Sequence, residues 1–159
     1  MFIFPVGANS IISQSSGSIV EANLVLNLDA GNPSSYPGSG TTWFNLVSGG
    51  QNAIIQDAAG VTYNSGSGGY FQFRAGTSTD YLQTSTSNDF GIGTGDFTVE
   101  YWCYRQSDSF GGTINIKQFT DGLLMRYGGT DNIYIVGSSQ NFITATNTPQ
   151  NTWINHILT

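Results

Sequence analysis

The sequence predicts an all-β fold, antiparallel strands stacked as a sandwich, and three features point to it. Apolar residues recur with period two, and no long stretch keeps a helical period. Glycine fills 21 of the 159 positions and falls between the alternating runs, where turns need it. Charged residues make up only 9% of the chain and aromatic residues 13%, so packed rings rather than a charged coat offset the entropy of ordering.

In chain order, residues 22–28 read as a strand with Leu24, Leu26 and Leu28 on one face. Residues 53–56 and 61–63 are short strands. Residues 70–74 alternate again and set Phe71 and Phe73 together; residues 81–84 follow the turn Gly76-Thr77-Ser78-Thr79. The clearest strand spans 96–105. Phe97, Val99, Tyr101 and Cys103 fall on one face, and Thr98, Glu100, Trp102 and Tyr104 on the other. Bulk on both faces marks a central strand of one layer, with Cys103 a small core residue. Strands at 113–118, 122–127, 132–136, 142–146 and 152–158 complete the series. Between them Thr120-Asp121-Gly122, Gly128-Gly129-Thr130-Asp131 and Gly137-Ser138-Ser139 supply the turns, so this part reads as an antiparallel meander.

The length suits one domain, taken as residues 21–159, behind an arm and linker at 1–20. That arm carries apolar Phe2, Ile3, Phe4, Ile11 and Ile12 ahead of the polar run Ser13-Gln14-Ser15-Ser16-Gly17-Ser18. Such a pattern suits docking to a partner, a frayed end, or an extra strand on the same domain. Net charge is −6, and the four basic residues, Arg74, Arg105, Lys117 and Arg126, are scattered singly. Direct nucleic-acid binding and attraction to an anionic membrane both need clustered cations, so neither is expected. No apolar run nears the roughly 18 residues of a membrane span. Cys103 is the lone cysteine, which excludes an internal disulfide and a cysteine zinc site and fits synthesis in a reducing cytoplasm.

The segment Ser18-Ile19-Val20-Glu21-Ala22-Asn23-Leu24-Val25-Leu26-Asn27-Leu28-Asp29-Ala30-Gly31-Asn32-Pro33-Ser34-Ser35-Tyr36 carries a family likeness, continued by Pro37-Gly38-Ser39-Gly40-Thr41-Thr42-Trp43 and Asn45-Leu46. Thr62-Tyr63-Asn64, Gly69-Tyr70-Phe71-Gln72-Phe73, Asp80-Tyr81-Leu82 and Phe90-Gly91 follow in order. After them come Gly95-Asp96-Phe97-Thr98-Val99-Glu100-Tyr101-Trp102 and Thr152-Trp153 with His156. Taken together, residues 18–159 resemble the concanavalin A-like, laminin G-like domains of phage virion structural proteins. The resemblance implies a jelly-roll sandwich used to bind glycans or proteins. It further implies a non-enzymatic virion component: a capsid decoration, tail or fibre protein, made in the host cytoplasm and displayed on the particle. A carbohydrate-binding module or bacterial surface adhesin of the same fold is the alternative. In that family the Trp-x-x-His strand has further strands after it, so the sandwich is expected to lack its last strands here.

No catalytic residue is expected. Glu100 has Thr98 and Trp102 as same-face neighbours, and glycoside hydrolysis needs a second carboxylate. His156 and Cys103 lack the partners of a nucleophile–base pair. No cofactor is called for except, as the resemblance allows, Ca²⁺ at a loop rim. Its candidate ligands are Asp80, Asp29 and Asp121, with Asn32, Asp131 and Asn132 as further turn oxygens, though Asp and Asn in turns more often bond their own backbone. For a saccharide, Trp102, Tyr104 and Glu100 share one strand face and combine rings with an acceptor. The expected partners are other virion proteins through the arm, a surface glycan, and further copies of the chain.

Overall fold

The computed structural model describes residues 21–73, 80–84, 96–104, 106 and 149–159, without the side chain of Leu158, and the backbone of 111–116, 123–127, 132–136 and 140–144. The arm at 1–20 and the turns at 76–79, 120–122, 128–131 and 137–139 lie outside the described residues. In chain order the strands are β1 Thr42–Trp43, β2 Ala53–Ile55, β3 Val61–Asn64, β4 Tyr70–Phe73, β5 Leu82–Thr84 and β6 Val99–Tyr104. They continue as β7 Gly111–Ile116, β8 Leu123–Tyr127, β9 Asn132–Val136, β10 Gln140–Thr144 and β11 Trp153–Leu158. Among the described residues the one helical element is a 3₁₀ turn at Gly66–Gly68, so the fold is all-β. No described helix is long and apolar enough to cross a membrane.

Described residues of 21–73, 80–84, 96–103 and 155–159 belong to one compact unit, and those of 104–154 to another. In the first unit β1, β2 and β5 make an antiparallel sheet in that order, with Trp43 opposite Ala53 and Ala53 opposite Thr84. Alternation sends Trp43, Ala53 and Ile55 inward and leaves Ile54 exposed between Thr42 and Gln83. β3 and β4 form an antiparallel hairpin with Tyr63 opposite Phe71. Their rings meet Tyr36 and Trp43: Phe71 lies 4.8 Å from Tyr36, 4.7 Å from Trp43 and 5.6 Å from Tyr63. Tilted and edge-on contacts of this kind suit the ring quadrupoles. Leu26, Leu28, Ala30, Ile55 and Val61 fill the core around them. Both phenols keep partners: buried Tyr36 donates through Oη to the Gly40 carbonyl at 2.9 Å, and half-buried Tyr63 donates through Oη to the Ala30 carbonyl at 3.2 Å.

Residues 24–28 depart from the expected strand. Leu26 and Leu28 are buried and Leu24 half-buried, as period two requires, yet the segment joins no ladder among the described residues. A side chain takes the ladder's place. Asn45 Nδ2 donates to the Val25 carbonyl at 3.0 Å, and Asn45 Oδ1 accepts the Asn27 amide at 2.9 Å. The carboxamide thus offers the donor and acceptor a neighbouring peptide unit would. Phe73 shares the Phe71 face but is 45% exposed at the strand's end, so only Phe71 enters the core.

In the second unit β7 pairs antiparallel with β8, with a register irregularity between Gly111 and Thr113, and β9 pairs antiparallel with β10. β8 lies beside β9, giving the expected meander order. β9 matches its expected bounds; β7 and β10 each begin two residues earlier than alternation suggested. For β10 the cause is the tight connection: Gln140 already pairs with Val136.

Candidate functional site

β6 hydrogen-bonds to β11, and its alternation sorts the candidate residues. Val99 and Tyr101 are buried, Glu100 and Trp102 half-buried, and the Tyr104 ring 41% exposed. The strand begins at Val99 rather than at 96, and over Val99–Tyr104 the two faces are those the sequence predicted, except that Cys103 is half-buried rather than a core residue. It stands near the end of the buried row, where cover thins.

Within the first unit, Asn155 Nδ2 donates to Glu100 Oε1 at 2.9 Å. It is the carboxylate's one hydrogen-bond partner among the described residues. Tyr101 stacks on His156, ring centroids 4.9 Å apart and planes 16° from parallel. Burial holds the His156 imidazole below its ordinary range, so it is neutral at pH 7. Within the second unit, Tyr104 meets Trp153 edge-on at 5.3 Å and 61°. Sequence reasoning named Glu100, Trp102 and Tyr104 as candidates and assigned no site role to Asn155 or Trp153. Only the pairing of β6 with β11 brings these to the candidates.

Of the acidic turn candidates, Asp29 and Asp80 fall within the described residues. Asp29 Oδ1 accepts the Gly31 amide at 2.8 Å, its carbonyl accepts the Asn32 amide at 3.2 Å, and its own N–H donates to Ser35 Oγ at 3.1 Å. Ser35 is fully buried, and its hydroxyl donates to the Phe44 carbonyl at 2.6 Å. Asn32 Oδ1 accepts the Ser34 amide at 2.9 Å. These two oxygens therefore serve their own turn. Asp80 packs against Gly60, its carboxyl atoms 2.1–2.3 Å from where a Cβ there would stand. Asp121 and Asp131 lie outside the described residues, as does the Asn132 side chain. Among the described residues no group of three or more His, Cys, Asp or Glu gathers to hold a metal ion.

Burial, the largest influence, raises the Asp29 carboxyl above its ordinary range, while the Gly31 and Asn32 amides pull it down. The fold therefore favours protonated Asp29. Its contribution to stability is full below the unfolded pKa of 3.8 and is lost as pH rises through the higher folded value. Asp29→Asn keeps the Oδ1 acceptor without the charge, so it should raise the urea midpoint at pH 7 and gain nothing at pH 3. A gain of equal size at both pH values contradicts the assignment. With 5 mM Ca²⁺ present, a rise in the wild-type midpoint that Asp29→Asn lacks identifies the turn as an ion ligand instead.

No family model, curated protein or solved structure matches this chain.

Proposed function

We propose that this chain is a non-enzymatic structural protein of a phage virion, a capsid decoration, tail or fibre component. In this reading a laminin G-like jelly-roll sandwich presents the Glu100–Trp102–Tyr104 face of β6 to a saccharide. The observation that carries the binding part is Tyr104, a large ring 41% exposed and braced edge-on by Trp153. Sugar C–H faces pack on such rings, and a braced ring loses little rotamer freedom on binding. Glu100 adds an acceptor for hydroxyl groups. Its single carboxylate, engaged by Asn155, supports recognition over hydrolysis, which needs an acid and a base or nucleophile together. The virion part rests on the family wording of residues 18–43, and the apolar arm at 1–20 would join the domain to other virion proteins.

The test is a glycan array on the purified chain, with antibody labelling of purified phage particles. Saturable binding to a subset of glycans is expected. Trp102→Ala and Tyr104→Ala should each weaken it about tenfold or more, the loss of roughly 1.5 kcal/mol of ring contact. Both variants should retain the β-sheet circular dichroism of the parent. Particles should label, and deleting residues 1–17 should abolish that labelling while the domain stays folded. Glycan binding by a chain absent from particles favours a carbohydrate-binding module or surface adhesin, and no binding to any glycan removes the saccharide reading.

A further inference from the structure

We propose that the outer face of the β1–β2–β5 sheet is a second saccharide-binding surface, which takes an extended oligosaccharide along a diagonal stripe of Phe44, Ile54 and Tyr81. The inference goes beyond the β6 face. It concerns another sheet and other residues, so each surface can be tested with the other intact.

The stripe follows from strand register. Trp43, Ala53, Ile55 and Leu82 pack on the core, so their neighbours in each strand turn outward. Ile54 stands between Thr42 and Gln83. The alternation continues past β1: the Phe44 amide donates to the Ser35 carbonyl at 2.7 Å, and the Asn45 amide turns back toward β2 to donate to Asn52 Oδ1 at 2.9 Å. Phe44 therefore keeps the face of Thr42. At the other end the Gln56 amide donates to the Tyr81 carbonyl at 3.0 Å, which extends the β2–β5 register and sets Tyr81 beside Gln56 on the face of Gln83. Both β1 and β5 run antiparallel to β2, so Phe44 lies two residues to one side of the Ile54 row and Tyr81 two residues to the other. Standard strand spacings put the two ring-bearing Cα atoms roughly 17 Å apart. Phe44 is 43% exposed, Ile54 38% and Tyr81 44%.

The chemistry of the face selects the ligand. Ring faces pack on sugar C–H groups, while the Gln56 and Gln83 carboxamides and the Thr42 hydroxyl each donate and accept hydrogen bonds, as sugar hydroxyls require. A protein partner needs more. The exposed parts of the three apolar side chains come to about 250 Å², against the roughly 800 Å² that each side of a stable protein interface buries. Thr42 and Gln83 also flank Ile54 directly, at the centre, where a protein interface concentrates its apolar anchors. A narrow row of apolar groups edged by amides suits a narrow ligand with the same mixture, and only a chain of several sugar units reaches both rings.

The experiment measures binding of cello-, chito- and malto-oligosaccharides, from the monosaccharide to the hexasaccharide, to Tyr104→Ala, in which the β6 face has lost its ring. At least one series should bind, the hexasaccharide about tenfold or more tightly than the monosaccharide, because the longer chain engages both rings at once. In that background Phe44→Ala and Tyr81→Ala should each weaken hexasaccharide binding about tenfold and flatten the dependence on length. Tyr81→Phe keeps the ring and should retain both. Phe73→Ala removes an exposed ring of β4, off the stripe, and should change neither. Affinity retained in both alanine variants, or binding that does not vary with length, overturns the proposal. Wild-type binding that Tyr104→Ala abolishes in every series also overturns it and leaves the β6 reading standing. No wild-type binding to these series or to the glycan array overturns both. A concentration-dependent dimer in sedimentation that Phe44→Ala and Tyr81→Ala dissolve gives the face to a second copy, and the saccharide assignment falls.

Discussion

Gly69→Ala is expected to cost about 3–5 kcal/mol, a large share of a small domain's stability. Two independent effects meet at this position. Its backbone sits at φ 94°, ψ 129°, a region essentially closed to residues with a Cβ. A Cβ there would also stand 2.4 Å from the Ala30 carbonyl oxygen and 2.8 Å from the Gly31 nitrogen, both backbone atoms with little freedom to move. The neighbouring contact repeats the constraint, since a Cβ on Gly31 would lie 1.9 Å from the Gly68 carbonyl oxygen. The turn after β3 is therefore pressed directly onto the Ala30–Gly31 backbone, the place where Tyr63 Oη reaches the Ala30 carbonyl. Two further alanine variants separate the effects. Gly40 has φ +95° with nothing within 4 Å of its would-be Cβ, so Gly40→Ala carries the backbone cost alone. Gly31→Ala carries the close approach alone. In urea denaturation Gly69→Ala should lose more than either, and equal losses for Gly69→Ala and Gly40→Ala would show that the two backbones do not touch.

Much of the strand pattern was legible because side-chain alternation is local. Val99 and Tyr101 opposite Glu100, Trp102 and Tyr104 follow from pleating alone. What escaped was non-local. The Gly31 and Gly68–Gly69 approach looks, in sequence, like ordinary turn glycine. β1, two residues long, carries too little alternation to register. Residues 24–28 displayed a strand's periodicity, but whether they join a ladder depends on Asn45, up to 20 residues further on. The candidate site divided in the same way. Three residues on one strand could be placed together from their spacing, whereas Asn155 and Trp153 needed the pairing of β6 with β11, which no local signal announces. Turn carboxylates were the hardest to read: Asp29 bonding its own turn and Asp80 packing on Gly60 present the same residue type in the same kind of context.

Asn45 also yields the second large effect: Asn45→Ala should cost about 2–3 kcal/mol, since three hydrogen bonds of about 1 kcal/mol each go at once. Oδ1 accepts the Asn27 amide at 2.9 Å and the Val47 amide at 3.0 Å, while Nδ2 donates to the Val25 carbonyl at 3.0 Å. Val25 is exposed, so water can replace its partner, but Asn27 is buried and its amide bears the greater loss. Asn45→Asp keeps both acceptor contacts but turns the donor into an acceptor facing the Val25 carbonyl, so it too should destabilise. Gly50 supplies the decisive comparison. A Cβ there would fall 2.1 Å from Asn45 Nδ2, and the backbone at Gly50 has no positive φ to explain its glycine. Gly50→Ala should therefore destabilise by displacing the carboxamide, and should cost little more once Asn45 is already alanine. Such non-additivity is the signature of one shared interaction. If the double variant instead loses the sum of the two single losses, the carboxamide does not stand in for a strand, and residues 24–28 are held by their leucines and by the Leu46 amide on the Asn27 carbonyl.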